Sequence, residues 1–220
     1  MNYVPNTSNV KIDVLILAAG QAQRFGRPKQ LLPWGAGETI LSHVISQVSA
    51  TPGISRIHVV LGAWFEEICT TLAAPLEQVE IINNPDWQVG MFSSLSTGLR
   101  QLNQGNQKSD GILVLLGDMP FITPETLALF VDSVDLKSPQ PLIAVENNRP
   151  AHPYLIRQSH IGEILSLSGE SGIRPFIKKQ FPNACKIPVS HTAGRKDIDT
   201  WESYFTNRPE SSGAVIPPPP

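Results

Sequence analysis

Arg24, Arg27 and Lys29 place three positive charges within six residues, and no carboxylate occurs between Asp13 and Glu38. They follow an apolar run that ends in Leu17-Ala18-Ala19-Gly20. Small side chains let backbone N–H groups approach an anion closely, and Arg24 and Lys29 can neutralise its charge. This chemistry suits a polyphosphate. Two familiar phosphate loops do not fit. A Walker loop needs Gly-Lys-Ser/Thr, and Gly26 is followed by Arg27. A dinucleotide fingerprint needs Gly-x-Gly directly after the strand, and Gly20 is followed by Gln21 and Ala22. Arg27 reads as a solvated surface charge.

Asp118 follows the run Ile112 to Leu116 and precedes Met119-Pro120. A carboxylate at the C-terminal end of a central parallel strand lies where α/β proteins bind ligands. Mg²⁺ asks for one or two carboxylates together with phosphate oxygens. Asp118 is not needed as a helix cap, because Thr123 with Pro124 already opens the next helix. Asp197 and Asp199 are two apart and share a face in extended chain. They could complete the metal site, or one could cap a short helix near Trp201; for Asp197 the cap is the preferred reading. Gly90 and Ser94 begin a helix whose free N–H groups suit an anion. Asn84 precedes Pro85, a turn context in which its amide could also bind a base or ribose. His152 precedes Pro153, and a lone histidine there is structural or faces a substrate. No Ser/His/Asp or Cys/His set has nucleophile spacing. His43 and His58 fall within regular elements.

Elements alternate along the chain. Strands are expected from Val10 to Leu17, Arg56 to Leu61, Val79 to Ile82, Ile112 to Leu116 and Leu142 to Val145, with another from Tyr154 to Ile156. Between them, helical spacing covers Ile40 to Val48, Trp64 to Leu72, Phe92 to Leu102 and Pro124 to Val134. Asn147-Asn148 signals a turn. Two short helices follow, Ile161 to Leu167 and Ile173 to Phe181. The alternation predicts a three-layer α/β/α sandwich with a mostly parallel, Rossmann-like sheet. The later half reads as an elaboration of that sheet. A single domain is expected over 10–205, with a nucleotide-binding part over 10–120 and an acceptor-binding part over 121–205. The polar, proline-ended stretch 206–220 reads as a disordered tail.

The 220 residues carry a net charge of −2, which argues against broad nucleic-acid binding and makes any anion site local. Cys69 and Cys185 have no metal-ligand spacing and read as reduced thiols. The N-terminal residues lack signal-peptide character, and no apolar run approaches membrane length, so a cytoplasmic protein is expected.

"LAAGQAQRFGRPKQLL" resembles the signature of the molybdenum cofactor cytidylyltransferase subfamily of nucleotidyltransferases and its guanylyltransferase relatives. "NNPDWQVGMFSSL", "LLGDMP", "AHPYLI" and "DIDT" continue the resemblance in order, covering Val10 to Phe205. It implies the nucleotide-diphospho-sugar transferase fold, with Leu17, Ala18, Ala19, Gly20, Asn84, Gly90 and Ser94 at the nucleotide. It also implies Arg24 and Lys29 at the phosphates, Mg²⁺ on Asp118 and Asp199, and His152 at the acceptor. The implied substrates are a nucleoside triphosphate and molybdopterin, with a molybdoenzyme or chaperone as recipient. Ala19 stands where the guanylyl group has a second glycine, which favours CTP. Ala151 replaces the usual glycine before His-Pro, Ser168 to Arg174 departs from Gly-Asp-x-Gly-Ala-Arg, and Trp201 replaces proline. These departures lie in the acceptor half. Guanylyl transfer, a sugar-phosphate acceptor, and a non-catalytic nucleotide or cofactor carrier remain open as alternatives.

Overall fold

The computed structural model describes residues 10–35, 37–71, 79–105, 108–167, 173–190 and 197–209. Strand β1, Ile12–Leu17, is buried at every position. Its side chains divide by alternation, since successive residues of a strand face opposite ways. Val14 and Ile16 join a core containing Leu41, Val44, Ile45 and Phe130. Leu15 and Leu17 join a second core with Leu95, Leu99, Ile164 and Phe176. The strand therefore needs cover on both sides, which is why its sequence is a continuous apolar run.

A series of strands and helices separates β1 from the second half of the sheet. A two-residue pair, β2 at Pro33–Trp34 and β3 at Glu38–Thr39, forms its own small antiparallel ribbon. Helix α1 spans Ile40–Ser49, capped by Thr39. Strand β4 is Ile54–Leu61, helix α2 Phe65–Thr71, strand β5 Val79–Asn83 and helix α3 Met91–Gln104. Strand β6 is Gly111–Leu116, and helix α4, Pro124–Asp132, begins at the Thr123 cap. Then come β7 at Leu142–Glu146, β8 at Arg149–Ile156, helices α5 at Ile161–Leu165 and α6 at Arg174–Gln180, β9 at Cys185–Pro188 and helix α7 at Trp201–Asn207.

The main sheet runs β5-β4-β1-β6-β8-β7-β9. All its pairings are parallel except those of β8, which is antiparallel to both β6 and β7. The later half thus extends the same sheet. Asn147 and Asn148, both at positive φ (49° and 59°), make the two-residue turn between β7 and β8. With helices over both faces, the fold is a three-layer α/β/α sandwich.

A third apolar cluster positions the chemistry. Phe25, Leu32, Trp34, Ile40, Ile198 and Tyr204 pack together, tying the basic loop to the segment before α7. The Tyr204 hydroxyl donates to the Pro33 carbonyl (2.7 Å), and the Ile198 amide donates to the Asp118 carbonyl (3.1 Å).

Three sequence expectations need correction. Strand β9 and the β2–β3 ribbon were not anticipated: they are too short for periodicity to mark. The boundary expected after residue 205 falls inside α7, and residues 210–220 of the proline tail lie outside the described residues. So do residues 168–172 of the altered acceptor motif. Arg27 is not simply solvated; its guanidinium lies 5.8 Å from the Trp201 ring centre, within cation–π range. Among the described residues, no helix is long and apolar enough to cross a membrane.

Candidate active site

The loop after β1 separates its donors from its acceptors. Every carbonyl from Ala18 to Ala22 is held by the protein. The Gln30 side-chain amide donates to Ala18 O (2.8 Å) and Gly20 O (3.3 Å). The Ala63 amide takes Ala19 O (3.1 Å), the Trp64 indole takes Gln21 O (2.8 Å), and the Phe25 amide takes Ala22 O (2.8 Å). The N–H groups of Ala19 to Arg24, by contrast, donate to nothing among the described residues. Ala22 is left-handed (φ 53°, ψ 46°) ahead of a 3₁₀ turn at Gln23–Phe25. Consecutive free donors in such a bend form an anion-binding concavity.

Gly62 makes the close packing behind this loop possible. A Cβ there would lie 2.9 Å from the Ala19 carbonyl oxygen and 2.5 Å from Trp87 Cβ. Neither is the tip of a flexible side chain, so Gly62→Ala is expected to displace the loop. The expected result is a stability loss of about 1–3 kcal/mol, typical of overpacking, together with weaker nucleotide binding. Urea melts and a nucleotide titration would check both.

Lys29 comes from a second 3₁₀ turn, Lys29–Leu31. Its ammonium lies 2.6 Å from Asp118 Oδ2 and 2.7 Å from Asp199 Oδ1. Burial acts to lower its pKa, but the charge of Asp118 and hydrogen bonds to Asp118 and Asp199 outweigh burial and raise it. Arg24 is mostly exposed, 3.8 Å from Asp199. Ligand oxygens of Asp118, Asp197 and Asp199 all lie within 4.8 Å of one another. Burial, then the negative charges of Asp199 and Asp118, raise the Asp197 pKa.

Asp197 is thus drawn into the cluster and not used as a cap. Thr200 caps α7, with Ser203 completing the capping box. Ile198 is fully buried between the two aspartates. An alternating segment anchored by that residue presents both carboxylates to one side. The all-oxygen donor set suits a hard divalent cation. Asp118 Oδ1, buried and without a hydrogen-bond donor among the described residues, fits that use.

Two cavities meet at this cluster. One, of about 530 Å³, is lined by the loop, Arg24, Lys29, Ser94 and the three aspartates. The other, of about 830 Å³, has walls including Phe92, Tyr154 and Phe181 and two cations, Arg174 and Lys178. Leu17, Gly90, Met91, Leu116 and Asp197 line both, so the two cavities adjoin.

Asn84, expected at a base or ribose, does not line either cavity. It is fully buried, and its amide is spent inside. It donates to Ser93 Oγ (2.9 Å) and Ser94 Oγ (3.0 Å) and accepts from the Asp86 amide (3.1 Å). Its effect is to brace the start of α3, where Gly90 and Ser94 line the smaller cavity.

His152 lines the larger cavity, its ring 4.3 Å from that of Tyr154. Burial pushes its pKa down to about 4, against a hydrogen bond to the Val114 backbone. The folded chain therefore resists a proton that the unfolded chain accepts near pH 6.5. Stability is full above that value and is lost as pH falls from there toward 4. The expected cost between pH 7.5 and 4.5 is about 2–3 kcal/mol for this group. It is read as the difference in acid sensitivity between wild type and His152→Gln in urea melts. Equal sensitivity would remove His152 as the cause.

A loop of free N–H donors beside a carboxylate cluster, at the carboxyl ends of β1 and β6, is an arrangement suited to a nucleotidyltransferase. The chain belongs to the MobA-like NTP transferase domain family, whose model matches residues 14–184. It is 30% identical over 204 residues to nicotine blue oxidoreductase of Paenarthrobacter nicotinovorans, covering 87% of this chain and 93% of that one. It is 26% identical over 195 residues to the molybdenum cofactor cytidylyltransferase of Escherichia coli (strain K12), covering 89% and 94%. The fold matches that of Rv0371c from Mycobacterium tuberculosis H37Rv with a TM-score of 0.74 at 24% identity, over 90% of this chain and 98% of that one. A structure of the same protein in complex with manganese matches with a TM-score of 0.66 at 23% identity, over 89% and 96%.

Proposed function

We propose that the protein transfers the cytidylyl group of CTP to the phosphate monoester of molybdopterin, releasing pyrophosphate, in the cytoplasm. The observation that carries this reading is that the cavity holding the donor loop, Lys29 and the aspartates adjoins a second cavity lined in part by Arg174 and Lys178. The cytidylyltransferase relative supports the pairing of substrates.

In this reading the N–H groups of Ala19 to Arg24, with the Arg24 guanidinium, hold the triphosphate. The acceptor rests in the larger cavity against Tyr154 and His152, with Arg174 and Lys178 toward its anionic groups. Its phosphate oxygen attacks the α-phosphorus in line. A new P–O bond forms, the bond from the α-phosphorus to the α–β bridging oxygen breaks, and the electron pair leaves on pyrophosphate. A phosphate monoester has a second pKa of about 6, so the nucleophile is already anionic and no general base is needed. The protein's contribution is alignment and charge neutralisation. Asp118 and Asp199, with Asp197, would hold Mg²⁺; bound there, it neutralises charge on the phosphate oxygens. The manganese complex of the M. tuberculosis protein supports a divalent cation in this fold.

CTP is favoured over GTP by the resemblance, in which Ala19 stands where the guanylyl group has a second glycine. The test compares kcat/KM for CTP and GTP with molybdenum-loaded molybdopterin. Equal or GTP-favouring values would overturn the cytidylyl assignment, and turnover only with a sugar phosphate would overturn the acceptor. The relative named as an oxidoreductase sets a third outcome: acceptor turnover without pyrophosphate release would overturn the transferase reading.

A further inference from the structure

Gln30 sits in the same 3₁₀ turn as Lys29, and its side-chain amide turns back to the loop after β1. It is 2% exposed, and its NH₂ group serves the Ala18 and Gly20 carbonyls at once. That orientation is forced, because a flipped amide would set Oε1 against two carbonyl oxygens. The consequence is that Oε1 faces an interior where no described residue donates to it. A buried acceptor left in this state is unfavourable, and an apolar side chain of the same length would avoid it. Filling space therefore does not explain the amide. Its two donated hydrogen bonds do.

A peptide unit is planar and trans, so the carbonyl of one residue and the N–H of the next point in opposite directions. Fixing Ala18 O aims the Ala19 N–H away from Gln30. Fixing Gly20 O does the same for the Gln21 N–H. Both of these amides are among the free donors of the loop, and Ala19 and Gln21 both line the smaller cavity. We infer that Gln30 is a positioning residue: by holding two alternate carbonyls it aims two alternate N–H groups at the phosphates of a nucleotide. Its neighbour Lys29 then stands in fixed register with those donors. This rests on the proposed nucleotide site.

Two variants separate the effect from packing. Gln30→Met keeps the volume and donates nothing. Gln30→Glu keeps the shape but, when ionised, sets a carboxylate against two carbonyls; when protonated it regains one donor. Binding of CTP with Mg²⁺ and of inorganic tripolyphosphate is measured by calorimetry, alongside kcat and KM, from pH 8 to pH 5.5. Losing the aim of two hydrogen bonds is expected to weaken both ligands roughly tenfold or more in Gln30→Met, with kcat at saturation little changed. Relative to wild type at each pH, Gln30→Glu should be weakest at pH 8 and recover as pH falls, whereas Gln30→Met should not. Unchanged affinity in both variants would overturn the inference, as would equal losses at every pH. If Gln30→Met does not fold, the pH recovery of Gln30→Glu decides. A wild-type protein that binds neither ligand would overturn the nucleotide site itself, and the inference with it.

Discussion

Asp118→Asn is expected to lower Mg²⁺-dependent turnover by about a thousandfold, at the upper end of what one charge-stabilising group contributes. The substitution is nearly isosteric, so the loss isolates charge from shape. Asp118 reaches the site through its side chain, while its backbone carbonyl accepts the Ile198 amide; that backbone link survives the change. The segment carrying Asp197 and Asp199 should therefore remain in place, and the melting temperature should move little. Two carboxylates are left, so raised Mg²⁺ or Mn²⁺ should restore part of the rate. Wild-type turnover at low Mg²⁺ would rule out a metal role for Asp118.

Lys29→Ala is expected to cost at least about a hundredfold in transfer. Lys29 is the internal counter-ion of Asp118 and Asp199, at 2.6 and 2.7 Å, and lines the nucleotide cavity. Removing it leaves a cluster of three carboxylates without that cation. Mg²⁺ alone should therefore raise the melting temperature of Lys29→Ala more than that of wild type, because the cation no longer competes with an ammonium. Unchanged turnover at saturating CTP would take Lys29 out of the reaction. A collapsed fold that Mg²⁺ does not recover would make its role purely structural.

Much of the fold was legible because its signals are local. The continuous apolar run Ile112 to Leu116 reads as a strand buried on both faces, and Thr123-Pro124 marks a helix start wherever it occurs. The basic loop stood out for a similar reason: its charge has no compensation nearby in sequence, and Lys29 finds it in Asp118 and Asp199. What could not be read is side-chain direction. An Asn before a Pro looks the same whether its amide faces a ligand or, as Asn84 does, braces the helix behind it. Asp197 and Asp199 were seen to share a face. Their approach to Lys29, 170 residues from Asp199, depends on Ile198 entering the cluster formed by Phe25, Leu32 and Tyr204. Gln30 gave no signal at all, since a glutamine in a polar loop is ordinary until its carbonyl partners are known.

The most direct measurement follows the α-phosphate. CTP labelled at the α-phosphorus is incubated with the protein, Mg²⁺ and molybdenum-loaded molybdopterin, and the label and pyrophosphate are both counted. Nucleotidyl transfer predicts that the label moves to the acceptor in a one-to-one ratio with pyrophosphate released. Label recovered only as free CMP, or acceptor consumed while CTP stays intact, would contradict it.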